Sequence, residues 1–198
     1  MTTHPDHTIR SVPRSGARDR FRFVRGIAFF VGSLLVAGVA RAEISKEYQI
    51  KAAFLYNFTK FVEWPAERFA SADAPIVIGV FGKDPFAGEL EKIVRDRKVN
   101  GRCLAIVALR SPSEASAVHV LFVLAGDEKR FGAADLAKFT GVLTVGESDP
   151  FTPTAGMVNF TTLEDKVRFE INADAAERAG LKVSAQLLKL ATVVRKKS

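Results

Sequence analysis

Four apolar runs of strand length, separated by helical or turn-like segments, constrain this chain more than any other feature. They are "IVIGVFG" (76–82), "CLAIVAL" (103–109), "VHVLFVLA" (118–125) and "VLTVGE" (142–147). None alternates apolar with polar, which predicts strands covered on both faces. Between the first two lies "DPFAGELEKIVRDR" (84–97), with Phe86, Leu90, Ile93 and Val94 at helical spacing behind an Asp–Pro start signal. Residues 111–116 read as a turn or short helix, and 128–139 as a helix with Phe131, Leu136 and Phe139. Strands alternating with helices in this way predict a largely parallel sheet between two helical layers.

The C-terminal third has a different texture. "MVNFTTL" (157–163) and "KVRFEIN" (166–172) alternate cleanly, and only Glu164 and Asp165 separate them. That pattern predicts an antiparallel hairpin at one edge of the sheet. In the second strand Val167, Phe169 and Ile171 share one face, while Arg168, Glu170 and Asn172 share the other. Two short helices follow, 173–180 and 184–191, with Asn172 and Ser184 as caps. "DPFTPTAG" (149–156) reads as a loop. The expected fold is a single three-layer αβα domain with a largely parallel central sheet and an antiparallel edge hairpin.

Ahead of the sheet, residues 44–63 form a helix that is aromatic over most of its circumference. At 100° per residue, Tyr48, Leu55 and Val62 make one stripe, flanked by Ala52 and Phe58. Ile50, Phe54 and Phe61 make a second, and Lys51, Thr59 and Glu63 mark the polar sector. Such a helix must be buried on two sides or carry an exposed patch. One stripe is expected on the sheet, the other under the C-terminal helices or a partner molecule.

The N-terminus is not part of this plan. Six arginines between Arg10 and Arg25 precede the uncharged run "GIAFFVGSLLVAGVA" (26–40), and Ala40-Arg41-Ala42 fits a signal-peptidase site. The apolar run is 15 residues, shorter than the roughly 20 of a spanning helix. The expectation is a cleavable signal peptide over 1–42 and an exported domain over 43–198. The full chain carries 29 Lys+Arg and 22 Asp+Glu; removing seven arginines and two aspartates leaves 22 against 20, a net of +2. The basic face that nucleic-acid binding requires is then lost. The "RKKS" tail reads as a solvated end.

Catalytic and metal chemistry find few candidates. His119, inside an apolar strand, is the one histidine after residue 42, and it reads as a hydrogen-bonded core residue. Cys103 is the lone cysteine, in an apolar run, and is expected to be buried. One His and one Cys do not make a zinc site. "GVFGKDPFAG" lacks both phosphate-loop spacings. No catalytic residues, metal site or cofactor are expected, and the scarcity of matched acid–base groups favours a binding protein.

The stretch "YQIKAAFLYNFTKFVEWP" resembles the opening signature of the YfiR-like family of exported bacterial proteins. "IVIGVFGKDPFAGEL", "VHVLFV", "VLTVGESDPF" and "GMVNFTTLEDKVRFEINADAAERAGLKVSAQLLKLA" extend the resemblance from Tyr48 to Val194. It implies a non-catalytic periplasmic α/β protein that binds the periplasmic domain of an inner-membrane diguanylate cyclase and represses it, so controlling cyclic di-GMP and biofilm growth. A homodimer is a second association to test. Repressors of this type often carry cysteine pairs; here Ser116 and Ala117 stand just ahead of the strand that begins at Val118, and Cys103 has no internal partner. Phe61, Trp64, Arg168 and Glu170 are the partner-contact candidates. The competing reading is a periplasmic small-molecule-binding or sensor protein with an aromatic-lined pocket, prompted by twelve phenylalanines after residue 42.

Overall fold

The computed structural model describes residues 37–131, 133–149 and 156–193. Residues 1–36, with most of the expected signal peptide, lie outside that range, as do 150–155 of the expected loop and the tail. The chain forms two compact units, Met1–Ala42 and Glu43–Ser198. All the described strands belong to the second.

Helix α1, Ala37–Phe61, leads into β1, Val62–Glu63. Then come β2, Ile76–Phe81, helix α2, Glu89–Val94, β3, Lys98–Val99, and β4, Arg102–Leu109. Next are β5, Val120–Val123, helix α3, Ala133–Leu136, and β6, Leu143–Gly146. The hairpin strands are β7, Val158–Leu163, and β8, Lys166–Ile171. Helix α4, Ala173–Arg178, β9, Lys182–Val183, helix α5, Ala185–Leu190, and β10, Thr192–Val193, complete the chain.

Eight strands form one sheet in the order β10-β8-β7-β6-β5-β2-β4-β3, and β1 pairs with β9 in a separate antiparallel ribbon. Strands β4, β2, β5, β6 and β7 are mutually parallel, and β7–β8 is the antiparallel hairpin. The expected αβα architecture is present, with β10 one position outside the hairpin. Glu164 and Asp165 both take positive φ, 51° and 56°. That is the conformation a two-residue hairpin needs to match the twist of its strands.

Three of the four apolar runs, those of β2, β5 and β6, are covered on both faces, as their lack of alternation predicts. Ile78, Val80, Val120, Phe122, Leu143, Val145, Val158 and Phe160 meet Ala52, Leu55 and Phe58 of α1, Val62 of β1 and Leu90 of α2. Phe81, Leu121 and Val123 face the other way, onto Ala115, Phe131 and Leu136. Both aromatic stripes of α1 reach protein. Phe54 and Phe58 lie against Phe160 and Phe169, with centroids 5.2–6.0 Å apart. The backbone carbonyl of Phe61 accepts the Ser184 N–H. Burial of such rings supplies much of a domain's stability.

Five expectations need correction. The helix expected over 84–97 is confined to Glu89–Val94, because Asp84 Oδ1 accepts the Phe86 N–H and Ala87 and Gly88 turn left-handed. The helix expected over 128–139 is instead a 3-10 turn, Glu128–Arg130, followed by the single turn α3. Strand β4 is not covered on both faces: Cys103, Val107 and Ala108 are exposed, since only the two-residue β3 lies beyond it and the second core reaches no further than Leu109. Cys103 is therefore exposed, not buried. Finally, Lys51 and Thr59 of the expected polar sector are buried. Thr59 donates its hydroxyl to the Tyr56 carbonyl one turn back, and Lys51 has acidic partners described below.

Candidate partner-binding surface

The four contact candidates fall in two places. At the amino edge of the sheet, Trp64 directs its indole N–H into the His119 carbonyl, 3.1 Å away, and stands edge-on to the His119 ring. It is half-buried, and so is Phe61, whose ring packs against the main core. Trp64 lines a groove of about 310 Å³ with Phe69, Glu63, Asn100 and Arg102. An indole committed to a backbone carbonyl is first an anchor for its own chain.

Arg168 and Glu170 lie at the far margin. They share one face of β8, as the alternation predicts, and sit in register with Thr161 and Asn159 of β7. Glu170 also pairs with Thr192 of β10. Arg168, Glu170, Thr161, Leu163 and Leu190 line a groove of about 410 Å³. Its rim is unusual: Leu163 and Leu190 are 64% and 67% exposed. Large aliphatic side chains left in water beside charged ones are the composition of an interface rather than of an idle surface. The two grooves have no lining residue in common, so Trp64 does not join Arg168 and Glu170 in one groove, and Phe61 lines neither.

His119 is the hydrogen-bonded core residue the sequence suggests. Its Nδ1 accepts the Val77 N–H at 3.1 Å, and its ring stacks on Phe69 with centroids 4.5 Å apart. Burial, then the Arg68 guanidinium, hold its pKa down at about 4.

A third feature went unread in the sequence. The chain leaves β2 for β4 on one side and returns to β5 on the other, so the topological switch point lies between β2 and β5. Sheets of this kind bind ligands in the crevice at the carboxyl ends of those strands. Here the protein's own acidic side chains crowd that edge. Gly82, at φ 105°, admits the Asp127 carboxylate where a Cβ would otherwise stand. Glu147, after β6, accepts the Ala125 N–H at 2.9 Å and the Tyr48 hydroxyl at 3.2 Å through Oε1. Its Oε2 receives Lys51 Nζ at 2.7 Å. Lys51 also pairs with Glu47 one turn earlier. The Lys51 ammonium is 4.7 Å from the Tyr48 ring centroid. Glu128 accepts the backbone N–H groups of Glu147 and Ser148. Burial raises the Glu128 carboxyl, those two N–H donors oppose the rise, and the Glu147 charge adds to it. Burial and the Glu147 carboxylate likewise raise the Tyr48 phenol. The Glu47/Lys51 spacing of four was the one signal available in the sequence.

A cavity of about 210 Å³ adjoins this network, lined by Glu47, Lys51, Glu147, Asp149, Phe160, Thr161 and Thr162. Among the described residues no group of three or more His, Cys, Asp or Glu is placed to hold a metal ion. No helix among them is long and apolar enough to cross a membrane.

The fold and its surface define a small α/β domain with an open, apolar-rimmed groove at one sheet margin. The chain belongs to the YfiR/HmsC-like family, whose model matches residues 48–192. That family is regulatory rather than catalytic. No curated protein matches the chain.

Proposed function

We propose that this protein is a non-catalytic periplasmic regulator that binds and represses an inner-membrane signalling enzyme, a diguanylate cyclase. In this reading residues 1–42 are the signal peptide that exports it. The observation that carries the docking surface is the groove margin, where Leu163 and Leu190 stand in water beside Arg168 and Glu170. Apolar anchors inside a charged rim suit a protein partner, and the choice of a cyclase is our reading of what membership in a regulatory family implies.

The test is capture of the tagged, exported protein from gently solubilised membranes at near-native expression. The wild type is expected to bring down a membrane protein with a cytoplasmic cyclase domain. Leu190→Asp and Arg168→Glu are each expected to reduce recovery at least tenfold and to raise cyclic di-GMP. Clean capture with no membrane partner, or unchanged recovery with both variants, would overturn the assignment.

One observation favours the alternative, a periplasmic small-molecule-binding or sensor protein with an aromatic-lined pocket: Trp64 and Phe69 share the amino-edge groove. Against it, Phe54, Phe58, Phe86, Phe122, Phe160 and Phe169 are packed into the core. A thermal-shift screen against amino acids, nucleotides and vitamins tests the alternative, which requires a stabilising ligand that Trp64→Phe weakens; a flat screen counts against it.

A further inference from the structure

The segment between β1 and β2, residues 64–75, contains no strand and is tied to the sheet by side chains. Trp64 bonds to the His119 carbonyl. Arg68 Nη2 donates to the carbonyls of Val118 at 2.8 Å and Ser116 at 2.9 Å. Phe69 stacks on the His119 ring, and the Arg102 guanidinium carbon lies 3.7 Å from the Phe69 centroid. Arg102 Nη1 also donates to the carbonyls of Ser71 and Ala74. The attachments thus converge on residues 116–119 and on Arg102, with the 5% exposed His119 ring at the centre.

That ring is built to be neutral. Nδ1 accepts the Val77 N–H, so the single imidazole proton sits on Nε2. Nε2 is buried and completes no hydrogen bond, although the Arg68 backbone lies close enough to favour a proton there. A second proton would turn Nδ1 from acceptor to donor, facing the donor of Val77. The charged groups acting on the ring are Arg68, from the turn after β1, and Arg102, from β4, both positive. Strands β2 and β6 present backbone at Val77 and Leu143. Among the described residues no carboxylate forms an ion pair with His119.

We propose that His119 is an acid-sensitive pin: protonation of its ring releases the Trp64–Phe69 segment from the amino edge of the sheet and opens the groove there, while the sheet itself stays folded. The inference is independent of the cyclase assignment. The ring binds its proton on the order of 300-fold more weakly in the pinned state than when freely exposed, from 6.5 down to about 4. A depressed value places the stabilisation at full strength above pH 6.5. It is lost about tenfold per pH unit below that, down to about pH 4. A compartment that follows the acidity of its surroundings would cross this window.

Trp64 is the single tryptophan, so emission reports on the segment directly. The full chain is titrated from pH 7.5 to 3.5 with emission and far-UV circular dichroism recorded together. The expected result is a red shift of emission with a midpoint between pH 6.5 and 4, at pH values where the circular dichroism is unchanged. His119→Asn, which keeps an acceptor near Val77 but does not titrate, is expected to abolish that shift. Emission and circular dichroism changing together, or an unchanged shift in His119→Asn, would overturn the proposal. Should that variant not fold, an NMR titration of the wild-type ring decides. A His119 resonance moving with the emission midpoint supports the pin, and one titrating near 6.5 without an emission change refutes it.

Discussion

Replacing Lys51 by Met tests whether the buried ion pair secures α1 to the carboxyl edge of the sheet. The Lys51 and Glu147 side chains are only 7% and 3% exposed, with Nζ 2.7 Å from Oε2. Removing one member of such a pair strands the other, at roughly 3–5 kcal/mol. Glu147 keeps the Ala125 N–H and the Tyr48 hydroxyl, and Met retains most of the stem packed near Tyr48. The expected loss is therefore at the low end, about 3 kcal/mol. In a domain of this size that lowers Tm by about 6–12 °C. Urea unfolding followed by circular dichroism measures it. The double variant Lys51→Met/Glu147→Gln is expected to recover about 2 kcal/mol, since Gln still accepts from Ala125 and the one carboxylate left without Lys51, Glu47, is 45% exposed to water. A single-variant loss below about 1 kcal/mol would show that desolvation already cancels the pair's attraction, and would remove the network as an anchor for the helix.

Phe58 is fully buried and touches Phe54, Phe160 and Phe169; Phe58→Ala is expected to destabilise by about 3–5 kcal/mol in urea titration. Ser184 Oγ accepts the Leu187 N–H at the start of α5; Ser184→Ala is expected to lose roughly 0.5–2 kcal/mol, read from the same curves. Exposed Cys103 is expected to react fully with a water-soluble thiol reagent in the native protein; reaction only after unfolding would contradict its position on the open face of β4.

Composition and periodicity determined a good deal by themselves. Three of the four non-alternating apolar runs have the cover on two faces that their pattern predicts, β4 being the exception, and the two alternating runs joined by two residues form the hairpin theirs predicts; both signals are local, because they follow from the pleat and the turn. The caps at Asn172 and Ser184 are local too, and each bonds the backbone N–H three residues on. The sequence also placed Arg168 and Glu170 together on one face of a strand. It could not place Leu163 and Leu190 beside them, because that depends on where the chain returns after α5.

What tertiary structure decided was partnership at a distance. Lys51 looked like a solvated residue because its neighbours in sequence say nothing of Glu147, 96 positions away. Trp64 looked like a free aromatic because its acceptor, the His119 carbonyl, is 55 positions away. Cys103 looked buried because an apolar run does not reveal that its strand lies one from the edge of the sheet. In each case the burial of a side chain is set by strand order and by the path of a connection, and these emerge only when distant segments compete for the same surface.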